Sequence, residues 1–176
     1  MWLPPATEER AEPIVSESVL SVLSVLAALL ERAAGAGADG EVPVAAAVLD
    51  ASGAVLADGV NGRETGSDPT AHAEIVALRA AGSAVGRWRL DGCTLVVTLE
   101  PCAMCAGAAI QARVDRIVFG AFDDKAGACG SVWDLPRDRL ALHRPAVVGG
   151  VLEAESSALL RAFFASRRRE RPYQQP

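Results

Sequence analysis

Two apolar runs, Val42–Leu49 and Ala54–Val60, flank Asp50-Ala51-Ser52-Gly53, and beyond them helical and extended patterns alternate to the end of the chain. Apolar runs around an Asp/Ser/Gly turn predict a β-hairpin. Asp68-Pro69-Thr70 reads as a helix entrance with proline in the first turn, and that helix is expected to reach about Ala81. Thr94–Leu99 is a short apolar, β-branched strand, Cys102–Ala112 a helix and Arg116–Ala121 another strand. Pro145–Gly149 is expected as the last strand and Glu153–Arg168 as the last helix. Ahead of the hairpin, Glu17, Ser21, Ser24 and Glu31 recur at helical spacing among leucines and valines. This predicts an amphipathic helix over Ser16–Ala33, stopped by Gly35-Ala36-Gly37. Helices that alternate with strands after a hairpin imply an α/β fold, three layers deep (α/β/α), on a central mixed sheet of about five strands.

With 176 residues, 51% of them apolar, the chain can bury a core of its own as one domain, expected over residues 16–170. Residues 1–15, rich in proline and glutamate, and 171–176 are expected to be disordered extensions. The net charge of −5 excludes a global basic field, so a nucleic-acid partner would need a local patch. Arg161, Arg167, Arg168, Arg169 and Arg171 supply one, although the same arginines also suit the negative end of a helix. The apolar stretch Val19–Leu30 reads as too short to span a bilayer, and four glutamates against one arginine precede it, unlike a signal peptide. A cytoplasmic protein that is not membrane-bound is expected.

Chemistry concentrates in two short motifs, His72-Ala73-Glu74 and Pro101-Cys102-Ala103-Met104-Cys105. Of the four cysteines only Cys102 and Cys105 have ligand-like spacing. With His72 they offer three protein ligands, the count for a catalytic Zn2+ that keeps one position for water rather than a closed structural site. His72 and Glu74, two apart, do not share a helix face. Their side chains slant towards the helix N-terminus, however, and converge on a metal lying beyond its tip. Cys102 likewise follows a proline at a helix start, so two positive helix ends would favour the thiolates. Glu74 is then the general acid/base that moves protons between water, substrate and leaving amine. A stapling zinc usually takes four protein ligands, and a redox pair leaves His72 and Glu74 unexplained.

The joint pattern H-x-E and P-C-x-x-C resembles zinc-dependent nucleobase deaminases. The stretches 68–75 and 98–108, and more loosely 41–44 and 118–121, are similar to the bacterial tRNA-specific adenosine deaminases of the cytidine/deoxycytidylate deaminase superfamily. That resemblance covers roughly residues 16–170. It implies a cytidine-deaminase-like fold, one zinc per chain, a homodimer, and conversion of the wobble adenosine of an arginine tRNA to inosine. It also implies an anticodon loop bound with its target base flipped out. Asn61 would hydrogen-bond that base, Ala73 would touch the substrate, and Asp123 would meet the ribose of the preceding nucleotide. On the residues alone Asn61 is equally a turn residue and Asp123-Asp124-Lys125 an ordinary polar turn. A deaminase of a free base or nucleoside such as guanine or cytosine stays open, as does a zinc-containing binding subunit without activity, which Glu74 disfavours.

Cys93 is expected at a strand edge, Cys129 as a small loop residue and His143 on the surface, while Trp88 and Trp133 are expected in core or interface packing. Over Ala103–Ala112, Gln111 is the one strongly polar side chain, so this helix is apolar all round and needs cover on two sides. A second copy of the chain would supply the outer cover, with the N- or C-terminal helix as the alternative.

Overall fold

The hairpin forms where the turn residues place it. Strands β1 (Ala45–Leu49) and β2 (Val55–Val60) pair antiparallel. The Asp50 carboxylate closes the turn by accepting from Ser52 N at 2.8 Å and Ala54 N at 3.0 Å. The structure, a computed structural model, describes residues 17–170; the extensions expected over 1–15 and 171–176 lie outside the described residues. Three further strands follow, β3 (Thr94–Leu99), β4 (Arg116–Ala121) and β5 (Ala146–Val148), in the order β2-β1-β3-β4-β5. β3 is antiparallel to β1 but parallel to β4, and β4 parallel to β5, so the sheet is mixed and five-stranded as expected. A parallel pair needs a long crossover. Helix α4 (Ala103–Ala112) makes it between β3 and β4.

Side chains alternate across the sheet, and each face has its own core. One core joins Ala46, Val48, Leu95, Val97, Ile117 and Phe119 to α4 and to α3 (Ala73–Val85). The other joins Ala45, Ala47, Leu49, Val96 and Val118 to α1 (Glu17–Ala38) and α5 (Glu153–Glu170). These are the three expected layers, and the burial of both faces explains why β1 reads as an unbroken apolar run.

Two helices differ in their bounds from expectation. Helix α1 continues through Gly35-Ala36-Gly37 and ends only near Gly40, whose φ of 95° suits glycine alone. Ala36 is buried, and Gly37 packs beside Pro43 and Phe163, so tertiary packing overrides the low helix propensity of glycine. Within α1, Ser21–Ala38 is long and apolar enough to cross a bilayer, longer than the sequence reading allowed, yet Leu26, Leu29 and Ala33 are buried against the sheet. Helix α3 starts at Ala73 rather than at Asp68-Pro69-Thr70. The Asp68 carboxylate accepts from both the backbone N–H and the hydroxyl of Thr70, which holds that segment as a turn. The one-turn helix α2 (Arg63–Gly66) and a 3₁₀ turn at Leu135–Arg137 carry no strong sequence signal.

Helix α3 lies directly on β2, and Gly59 permits that approach. A Cβ there would sit 2.7 Å from Val76 Cγ1 and 2.9 Å from the Ala73 carbonyl oxygen, closer than real contacts allow. Gly59→Ala should therefore push α3 outwards at a cost of about 1–3 kcal/mol. Thermal denaturation should show a fall in Tm of roughly 2–10 °C.

Candidate active site

His72 and Cys102 occupy equivalent positions on two different helices. Each is the N-cap residue, in extended backbone, of α3 and α4 respectively. The carbonyl of each accepts the first bond of its helix, from Val76 N at 3.0 Å and from Ala106 N at 2.8 Å. Their side chains thus stand at the helix tips, where the positive ends of two macrodipoles meet. Cys105, one turn into α4 and buried, points back to the same spot.

His72 Nδ1 lies 3.5 Å from Cys105 Sγ and 3.6 Å from Cys102 Sγ, and all three donor atoms fall within 4.8 Å of one another. Tetrahedral zinc, with Zn–S near 2.3 Å and Zn–N near 2.0–2.1 Å, sets its nitrogen and sulfur ligands about 3.6 Å apart. The donor spacing and the N/S chemistry both fit zinc. Among the described residues no fourth protein donor joins this group. The Cys102 thiol is pulled down to about 5 by its hydrogen bond from Cys105, against desolvation, with help from the backbone N–H groups of Cys105 and Met104 and from His72. The same bond and burial push Cys105 up. Glu74, only 4% exposed, has its carboxyl pushed up to about 7 by burial, with the negative charge at Cys102 adding to the effect. A carboxyl that titrates near neutrality can both take and return a proton.

These groups face a cleft of about 140 Å³ whose walls include Asn61, His72, Glu74, Cys102, Asp123 and Ala126. That is smaller than the roughly 300–1,000 Å³ of pockets for drug-sized molecules and suits one planar ring system. Asn61 is buried at the end of β2, not on a surface turn; its Nδ2 donates to Glu41 at 2.9 Å. Asp123 reaches the wall because the buried Glu100 carboxylate grips its loop. Glu100 accepts from Asp123 N at 3.1 Å, Cys129 N at 2.9 Å and Ser131 N at 3.0 Å, and from the Ser131 hydroxyl. Asp123 also makes the polar turn the sequence suggested, its Oδ1 accepting from Lys125 N and Ala126 N. Ala73 is not on the cleft wall. Its methyl is fully buried in the core, which leaves its backbone as the part near the site.

Glu41 and Glu100 escaped the sequence reading. Glu100 is an isolated carboxylate at the end of an apolar strand, just before Pro101, and that isolation was the available signal; Glu41, two residues after Asp39, carried none. Other expectations change. Trp88 and Trp133 are 66% and 61% exposed, so neither packs in the core of the chain, because both stand on loops outside the two core layers. His143 is half-buried, its Nε2 2.6 Å from the Val114 carbonyl, rather than a surface residue. Arg167 is neither a free cation nor a plain helix-end charge: it donates to the Gly40 carbonyl and lies over the Phe163 ring. Cys93 and Cys129 are buried free thiols. Arg171 and the Arg169 side chain lie outside the described residues.

The sequence profile of the cytidine and deoxycytidylate deaminase zinc-binding region matches residues 21–121. The tRNA-specific adenosine deaminase of Bacillus subtilis is 45% identical over 142 residues, 81% of this chain and 88% of that protein. The chain belongs to the tRNA-specific adenosine deaminase family. A structure from work on A-to-I editing by tRNA:A34 deaminases superposes on this deaminase with a TM-score of 0.74 and 40% identity, covering 78% of this chain and 99% of that one. The guanine deaminase of Nitrosomonas europaea superposes with a TM-score of 0.69 and 33% identity, covering 81% and 84%. The deaminase is a zinc enzyme of cytidine-deaminase-like fold, as its sequence led us to expect. Metal analysis should find one zinc per chain in the purified deaminase. His72→Ala and Cys105→Ser should each weaken zinc binding at least about 100-fold, because a two-ligand remnant cannot hold the ion. Competition with a chelator measures this, and unchanged zinc content would exclude these ligands.

Proposed function

We propose that the enzyme hydrolyses the wobble adenosine of a tRNA, an arginine tRNA by resemblance, to inosine. The observation that carries this is the cleft itself: one wall bears the H-x-E and C-x-x-C groups, and Asn61 and Asp123 line the same space. His72, Cys102 and Cys105 would hold the zinc, which when bound supplies the Lewis acidity that makes water a nucleophile near neutral pH. Glu74 would take the proton of the attacking water and deliver protons to the ring nitrogen and to the amine. A C–O bond forms at the ring carbon, the C–N bond breaks, and ammonia leaves. Asn61 would bind the flipped base, and Asp123 the ribose of the preceding nucleotide. The place of action on this proposal is the cytoplasm, with the anticodon loop as partner and no membrane.

A second substrate class has specific support, since the guanine deaminase from Nitrosomonas europaea shares the fold at 33% identity. Pure enzyme incubated with an arginine anticodon stem-loop, and separately with free adenine, guanine, cytosine and their nucleosides, should produce inosine in the RNA and leave the free compounds unchanged. Release of ammonia from guanine or cytosine alone would reverse the assignment. Glu74→Gln should keep its zinc and its melting temperature but lose at least about 100-fold in rate, because an amide cannot shuttle protons. A variant with near wild-type turnover would remove Glu74 from this role.

The working unit we propose is a homodimer. In α4, Cys105, Ala106, Ala109 and Ile110 are buried, whereas Ala103, Met104 and Gln111 are exposed and Gly107 and Ala108 half-buried. The N- and C-terminal helices do not cover this outer side: α1 packs on the opposite face of the sheet, and α5 packs on α1 and β4. Beside Ala108 a groove floored by Ile75 and Leu78 and walled by the exposed Trp88, with Arg79 and Arg87 alongside, is surface that a second copy would cover. Light scattering should give twice the chain mass for wild type and the single-chain mass for Ala108→Glu. A wild-type monomer at working concentrations would refute the dimer.

A further inference from the structure

We propose that Glu41 is a positioning residue: its buried carboxylate fixes the side-chain amide of Asn61 with nitrogen turned inwards and oxygen left as the acceptor offered to the base. The proposal rests on Asn61 contacting the base, as set out above. Glu41 is 2% exposed and Asn61 7% exposed, so neither can turn to water for a substitute partner. Glu41 Oε1 accepts from Thr65 N at 2.7 Å and from Thr65 Oγ1 at 2.9 Å. Oε2 accepts from Asn61 Nδ2 at 2.9 Å. Both backbones are tied as well, Glu41 N to the Ala36 carbonyl and Asn61 N to the Val44 carbonyl, each at 3.0 Å.

An asparagine amide has two nearly isosteric ends, one donating and one accepting, and its surroundings choose between them. An ionised carboxylate only accepts, so Glu41 can meet only the NH₂ end. Asn61 lines the cleft and Glu41 does not, and Asn61 is the cleft residue whose side chain bonds to Glu41, so Glu41 acts on the base-binding edge through Asn61. The orientation it enforces favours a ring that brings an N–H donor to that acceptor. A flipped amide would offer a donor in the same place and favour the opposite hydrogen-bonding edge.

Glu41→Gln inverts this arrangement without leaving a buried group unpaired. The Thr65 N–H still needs an acceptor, so the new amide must turn its oxygen to Thr65 and its nitrogen to Asn61. Asn61 then has to present its oxygen to residue 41 and its NH₂ to the cleft. The variant should keep its zinc content and melting temperature while kcat/KM falls about 10- to 100-fold, chiefly through KM. In an Asn61→Ala background the same substitution should change kcat/KM by less than about 3-fold, because the residue it acts through is gone. With ¹⁵N-labelled asparagine, NMR should show the protected Nδ2 proton of Asn61 in wild type become exchangeable in Glu41→Gln. Thr65→Val, which removes one anchor of the carboxylate, should give a smaller loss that is likewise absent without Asn61. An equal loss of rate in both backgrounds, no loss at all, or unchanged amide exchange would each overturn the proposal. The wild-type substrate survey tests the tRNA assignment separately. If the enzyme proves to act on a free base, the same cycle run on that base still decides the role of Glu41.

Discussion

The meeting of two helix N-termini at one point is the constraint on which the rest of this structure depends. Helix α4 must start where β3 ends, because it is the crossover of a parallel pair. Helix α3 must come down onto β2 closely enough to bring His72 to the same place, and Gly59 is the residue that allows it. The His72 side chain makes no bond to its own helix, and its Nδ1 turns instead to Cys102 and Cys105. Cys102 faces the backbone N–H groups of Met104 and Cys105 at the tip of α4. The positive ends of the two helices then favour the negative charge of the thiolates.

Three buried glutamates surround this point, and their neighbours give them different tasks. Glu74 has few donors and a negative neighbour in Cys102, so burial dominates and its carboxyl rises to about 7. Burial works in the same direction on Glu41, but the Thr65 N–H and hydroxyl outweigh it and hold the carboxyl below its usual range. Glu100 takes its bonds from the loop of Asp123, Cys129 and Ser131. Glu74 and Glu41 are thus driven in opposite directions, Glu41 by the donors that face it, while Glu100 closes a loop over the cleft.

Much of this was legible in the residues. The hairpin, the strands β3 and β4, the helix after Cys102 and the three-layer order follow from periodicity and turn chemistry, which are local properties. The metal donors were legible too, because a zinc site demands particular residue types at particular spacings. Less legible were the points where a distant contact overrides a local preference. Gly35 and Gly37 looked like a helix stop until packing carried α1 past them. Asp68 looked like a helix cap until its carboxylate turned to Thr70. Trp88 and Trp133 were expected in core or interface packing, and the placement of their loops takes them out of the core of the chain.

By itself, then, the sequence determined the alternation of elements, the three candidate metal donors and the glutamate beside them. These depend on residue type and short spacing. Tertiary structure alone decided that His72, 30 residues before Cys102, brings its Nδ1 to 3.6 Å from that sulfur. It decided that Asn61 is buried against Glu41 rather than lying in a surface turn, and that Glu100 carries Asp123 to the cleft. It also decided that the two long helices leave the outer side of α4 uncovered, since α1 packs on the other face of the sheet and α5 on α1 and β4. Each of these is a long-range pairing, set by how two layers pack on one sheet, and no local pattern in the chain encodes it.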